Sequence, residues 1–140
     1  MIEKEIKNKR TFVLRLKRGE EVISSISNFC NKNNIQGGII QGVGALSKAR
    51  IYNVQNSDEL VTKETVFKDP IELVSALGNI TTGPEGLILH IHVCLGFPDH
   101  SSKAGHLLEG LISHTGEFFI QETERITKEK QGKMFLISAD

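Results

Sequence analysis

Leu87-Ile88-Leu89-His90-Ile91-His92-Val93-Cys94-Leu95 is an apolar run interrupted twice by imidazole. Read as a β-strand, it sends successive side chains to opposite faces. Leu87, Leu89, Ile91, Val93 and Leu95 then share one side, and His90, His92 and Cys94 share the other. Two imidazoles two positions apart on one face can converge on a single metal ion. Gly105-His106-Leu107 follows downstream and offers a third histidine to complete the set. Metal-binding side chains concentrate nowhere else in the chain.

Working upstream, Thr82-Gly83-Pro84-Glu85-Gly86 is a turn, and Ile71 to Thr81 is a long alternating strand leading into it. Asp69-Pro70 breaks the chain before that strand, and Val61 to Phe67 forms another. Ile35 to Leu46 holds Gly37, Gly38, Gly42 and Gly44 among Ile39, Ile40 and Val43. So many glycines predict a strand running into a close-packed bend, not a helix. Gly42-Val43-Gly44-Ala45 lacks both the spacing and the following helix of a phosphate-binding loop, so close backbone approach is its meaning. Ala49 to Val54 is a further strand, ending at Asn56-Ser57-Asp58. Thr11 to Leu16 is the first strand. Between Glu20 and Asn34, Val22, Ile23, Ile26, Phe29 and Cys30 recur at offsets of three and four, which marks an amphipathic helix. Glu20 and Glu21 suit the dipole at its start, and Asn33-Asn34 closes it.

Working downstream, Phe97 to Ala104 is a polar loop, and His106 to Gln121 is a strand with Gly110 and Gly116 as bulges. Thr123 to Gly132 reads as a charged connection and Lys133 to Ser138 as a closing strand. The sum is a single α+β domain over residues 1–140, with its core at about 11–138: one main amphipathic helix on a mostly antiparallel sheet.

Composition narrows the function classes. The chain has 140 residues, which suits one core. Lys+Arg and Asp+Glu both number 17, so no net charge draws it to phosphate backbones or anionic lipid. Aromatics are 6% with no Trp and one Tyr, a poor base-stacking platform. Cys30 and Cys94 make no disulfide framework, and the charged start Met1-Ile2-Glu3-Lys4-Glu5 is unlike a signal peptide. A cytoplasmic setting without a membrane span is expected.

A single buried histidine is ordinarily satisfied by a hydrogen bond. Two on one face of an apolar strand, left unpaired, cost about 1–3 kcal/mol each. A shared partner removes that cost. Imidazole suits zinc first, then copper, nickel or iron, and three histidines leave a fourth position for water, a carboxylate or another ligand. Cys94 has the parity to approach the ion but reads better as a small buried hydrophobe. His100 sits in a solvated loop. His114 stands eight residues from His106, roughly 26 Å along an unbroken strand, and is left out. Glu72, Glu109 and Glu117 lie in apolar strands and could support a histidine, and Glu117 is also a candidate general base.

The order of these motifs resembles the PPC (plant-and-prokaryote-conserved) domain family over roughly Thr11 to Ser138. The carrying residues are Gly42-Val43-Gly44-Ala45-Leu46, Ile71 to Ile80, Leu89-His90-Ile91-His92-Val93 and Gly105-His106-Leu107-Leu108-Glu109-Gly110. The resemblance implies an antiparallel sheet with a packed helix, a homotrimer, and a metal, generally zinc, on His90, His92 and His106. In plant members the domain follows an Arg-Gly-Arg-Pro element that grips the minor groove. This chain has no such element, and of the plant Gly-Arg-Phe-Glu-Ile-Leu motif, Asp69-Pro70-Ile71-Glu72-Leu73-Val74 keeps only Glu72 and the apolar tail.

Three functions are therefore expected in order. The first is a trimeric zinc-binding module open to a small anionic ligand or partner segment. The second is a zinc hydrolase or lyase in which Glu117 or His100 handles protons. The third is a DNA-binding or regulatory protein that gathers Lys7, Lys9, Arg10, Lys17 and Arg18 on one face.

Overall fold

The computed structural model describes residues 1–138. Its elements in chain order are β1 (Asn8–Lys17), α1 (Val22–Lys32), β2 (Gly38–Asn56), β3 (Val61–Gly83), β4 (Gly86–Gly96), β5 (Ser102–Thr123), β6 (Lys128–Gln131) and β7 (Met134–Ile137). Strands dominate and the helix is short, as an α+β reading with a small α part requires. All pairings within the main sheet are antiparallel, in the order β1-β5-β2-β3-β4, and β4 also pairs with the start of β5. That last pairing closes β2, β3, β4 and β5 on themselves. Among the described residues no helix is long and apolar enough to cross a membrane.

Helix α1 forms where the apolar spacing placed it. Val22, Ile26 and Cys30 are its buried face, packed toward β5 and β4. Burial pushes the Cys30 thiol up to about 11, so it is a packing group and not a reactive one. Glu21 is the N-cap: its carboxylate accepts from the backbone N–H of Ile23 and Ser24 and also from Gly110 on β5. It therefore satisfies two free helix donors and pins the helix to the sheet. Glu20 instead accepts from the Lys17 N–H and holds the preceding turn. Asn33 is the C-cap, and Asn34 takes the left-handed conformation that ends the helix.

Four segments differ from the sequence reading. The two strands expected at 35–46 and 49–54 are one strand, β2, which bends at register shifts between Gly42 and Gly44 and between Leu46 and Lys48 without ending. Likewise 61–67 and 71–81 are one strand, β3. Pro70 falls within the irregularity between Lys68 and Ile71, where no ladder N–H is needed. The loop expected at 97–104 is shorter, because Ser102 to His106 already pair with β4. Residues 123–132 are not a plain connection: Lys128–Gln131 pairs with Met134–Ile137 in a separate hairpin that turns at Gly132.

The core lies inside the closed strands and under α1. Ile91, Val93 and Leu95 of β4 meet Ile40, Ile80, Leu73, Phe118 and Ile120 there. The close approach read from the glycines is real, since a Cβ on Gly42 would enter the Phe118 ring. Gly78 matters most for the site. A Cβ there would press on the His90 carbonyl and the Ile91 backbone of the paired strand. Gly78→Ala is expected to lower the urea midpoint, at a cost of about 1–3 kcal/mol, and to shift His90 along with β4. An unchanged midpoint would show that β4 does not need this contact.

Candidate metal centre

Strand pairing alone assembles the three histidines. His92 of β4 stands directly opposite His106 of β5, and His90 lies two residues further along the same face of β4. The ring centroids are 5.0 Å apart for His90 and His92, 5.0 Å for His90 and His106, and 5.4 Å for His92 and His106. The Nε2 atoms of His90 and His92 are 3.2 Å apart. All three rings offer a nitrogen within 4.8 Å of the others. A tetrahedral ion with nitrogens at about 2.0–2.1 Å holds them roughly 3.3 Å apart, so the His90–His92 pair already has that spacing.

The cluster lies outside the hydrophobic core. His92 is exposed, and His90 and His106 are half-buried, on the outer face of the sheet. His90 and His92 share a face as strand alternation requires, but with His92 exposed the cost of burying an unpaired imidazole falls mainly on His90 and His106. Burial, reinforced by the neighbouring His90, His92 and Lys128, brings the His106 imidazole down to about 4. Burial also lowers His90, with Lys128 and His92 adding to it. Both rings are therefore neutral at pH 7, the form that donates a lone pair to a metal.

Two local features orient His106. Tyr52 of β2 pairs with it on the other side and stacks on its ring, with centroids 4.4 Å apart and planes 27° from parallel. Gly105 makes this possible, because a Cβ there would run into the Tyr52 carbonyl and the Asn53 side chain. The glycine of Gly105-His106 is thus a spacing device for the strand carrying His106.

The histidines open into a cleft of about 710 Å³ whose far wall is the β6–β7 hairpin. Lys128 enters from β6, nearly buried, and its ammonium donates to Asn79 Oδ1 at 3.4 Å. Thr127 bridges to Thr82 of β3, and the Thr82 N–H donates to the Ile126 carbonyl, so the hairpin is tied beside the cluster. Sequence reasoning missed Tyr52, Lys128 and the hairpin. Tyr52 is the chain's single Tyr, and Met134-Phe135-Leu136-Ile137 is an apolar run after charge, but neither signal says which strand it meets.

The other residues singled out lie elsewhere. Cys94 shares the histidine face but is not in the cluster and pairs toward Ala104. His100 is exposed in the turn after β4, with φ of 65°. His114 bonds its neighbour Ser113 near a register irregularity of β5. Glu109 is held by Lys48 at 2.9 Å. Glu117 is exposed opposite Arg15, far along β5, and Glu72 faces Gly96 at the other end of β4. Among the described residues no Asp or Glu lines the cleft.

Comparison with known proteins agrees with this architecture. The family model for the Plants and Prokaryotes Conserved (PCC) domain matches residues 3–124. A plant- and prokaryote-conserved protein from Pyrococcus horikoshii is 30% identical with a TM-score of 0.89, over 99% of this chain and 97% of that one. A protein from Archaeoglobus fulgidus described as metal-containing is 25% identical with a TM-score of 0.88, over 99% of both chains. A Bacteroides thetaiotaomicron protein described as a candidate for DNA binding is 24% identical with a TM-score of 0.87, over 95% of this chain and 96% of that one, which speaks to the fold alone. No curated protein matches the chain.

Proposed function

This chain belongs to the Plants and Prokaryotes Conserved domain family, and from that premise we propose that it is a homotrimeric zinc-binding protein of the cytoplasm. Its metal is held by His90, His92 and His106, and the fourth position opens to a small ligand. The observation that carries this reading is the convergence of three imidazole nitrogens within 4.8 Å on one sheet face. Two of those rings are neutral at pH 7 without any metal, so the donor set is ready for an ion. A relative described as metal-containing, 25% identical over nearly its whole length, supports the same reading. When bound, zinc supplies a Lewis-acid position facing the cleft. This chain's residues do the rest: Tyr52 fixes the His106 ring, and Lys128 sets a positive charge beside the open side.

A hydrolase or lyase finds less support. Proton transfer needs a base within hydrogen-bond reach of the reacting atom. Glu117 and His100 are outside the cleft, and no other carboxylate lines it among the described residues.

Elemental analysis of protein purified without an affinity tag tests the proposal. One equivalent of zinc per chain is expected. Folded protein that stays free of any transition metal after dialysis against zinc counts decisively against it.

The DNA-binding reading has behind it the descriptions of two similar structures, from Bacteroides and Ralstonia, whose likeness speaks to the fold alone. Charge argues the other way. The net charge is zero, and Arg10 is already engaged by Glu122 and the Asn33 carbonyl. In a gel shift at low salt, no retardation of duplex DNA is expected at micromolar protein. Retardation with a steep salt slope would reinstate DNA as the ligand.

A further inference from the structure

The wall of the cleft opposite the histidines says what kind of ligand it accepts. Lys128 is 6% exposed, yet among the described residues its ammonium meets only the neutral amide of Asn79, at 3.4 Å. No carboxylate of the described residues pairs with it. A lysine this buried ordinarily has an anionic partner. Away from Lys128 the wall is mainly apolar, with Leu60, Ile88, Met134, Phe135 and Leu136, and Lys133 at the hairpin turn donates to the Glu59 carbonyl at 3.4 Å. Its volume of about 710 Å³ is in the range that encloses a ligand well beyond the size of a simple anion.

We infer that this cleft binds an amphipathic monocarboxylate, with its carboxylate between Lys128 and the open side of the histidine cluster and its hydrocarbon body along the β6–β7 hairpin. The head is a carboxylate and not a phosphate for a stated reason. Phosphate recognition draws on arginine forks or on backbone N–H groups at a helix start. No arginine and no helix residue lines this cleft. Of the two lysines, Lys133 is exposed and donates to the Glu59 carbonyl, so Lys128 and the open side of the histidine cluster are left to hold a single planar anion with two oxygens. The apolar wall needs a ligand with a body, since a bare small anion would leave Phe135 and Leu136 facing water. This inference rests on the zinc reading for one of the two anchors of the head; Lys128 and the hairpin are the other and the body's site.

The test is calorimetric titration of hexanoate, acetate and hexanamide into the zinc-loaded full chain. Hexanoate is expected to bind at least about tenfold more tightly than acetate, and hexanamide to give no measurable binding. Lys128→Met is expected to weaken hexanoate about tenfold, with Lys128→Arg keeping most of the affinity. Phe135 is 39% exposed, so Phe135→Ser does not disturb the core. It should bring hexanoate close to acetate and carries the test if Lys128→Met fails to fold. Equal affinities for hexanoate and acetate, or hexanoate binding unchanged in the folded variants, overturns the inference. Zinc is counted in the same samples. Lys128-dependent hexanoate binding without zinc would overturn the metal reading alone; bound zinc with no preference for hexanoate would overturn this inference alone.

Discussion

His106→Ala is expected to lower zinc affinity by more than about a hundredfold, beyond the 10–100-fold that loss of a supporting residue costs. Competition with a chromogenic chelator measures it. In the proposed site His106 is the one donor from β5, directly opposite His92, so its removal leaves two imidazoles from one strand and, among the described residues, no third donor on the facing one. The fold should survive, because the ring lies on the outer face and not in the core. His100→Ala and His114→Ala should keep full affinity, since neither ring belongs to the cluster. A His106 variant that binds zinc as the wild type does would end the three-histidine proposal. The same residue predicts a pH effect in the metal-free protein. Its folded value, about 4, lies below the ordinary 6.5. The unfolded chain therefore takes up the proton first, and stability falls as pH drops from about 6.5 toward 4. His106→Ala should flatten the profile in that window, read as thermal midpoint against pH.

How much of this site the sequence discloses depends on the range of the signal. The parity of His90 and His92 is a two-residue property of one strand, and it survives folding intact. Bringing His106 opposite His92 needs a short connection from β4 to β5, and Gly96 to Ser102 supplies it. Those contacts are local, and they were legible. The helix was legible for the same reason, since Val22, Ile26 and Cys30 repeat on one face. The long strands were not. Bulges and prolines look like stops in a sequence, yet β2 runs through its bulges because β3 and β5 pair with it on both sides, and β3 runs through Pro70 because β2 pairs with it before and after. Tyr52 and Lys128 were hidden for a stronger reason. Their contacts with His106 and Asn79 span tens of residues, and nothing in the local pattern of either segment specifies the partner. The exposure of His92 is not legible either, because a strand with apolar residues on one face says nothing about what covers the other.

What covers that other face is the subject of the last prediction. The register places Val13, Phe119, Gln41, Leu77 and His92 side by side across β1, β5, β2, β3 and β4. All five are exposed, and Val13, Phe119 and Leu77 are more than half so. Ile39, Val43 and Val74 lie exposed beside them, so an apolar band runs across the outer face toward the histidines, interrupted by Gln41 and flanked by Arg15 and Glu117. Contiguous apolar surface of this kind marks an interface in a soluble protein. In the proposed homotrimer this face is covered by a neighbouring subunit, and the metal cleft stands at the edge of the contact. Sedimentation of the wild type is then expected to give about 46 kDa, three times the chain mass of 15.5 kDa. Phe119→Asp together with Leu77→Asp sets two carboxylates in the middle of the covered face, where each would lose its water without a partner. The expected result is a folded 15.5 kDa monomer at micromolar concentration. Because Leu77 pairs with His92, the monomer should also hold zinc less tightly if the neighbouring subunit steadies β4. A wild-type protein that sediments as a monomer would remove the trimer, and a double variant that stays trimeric would move the interface to another face.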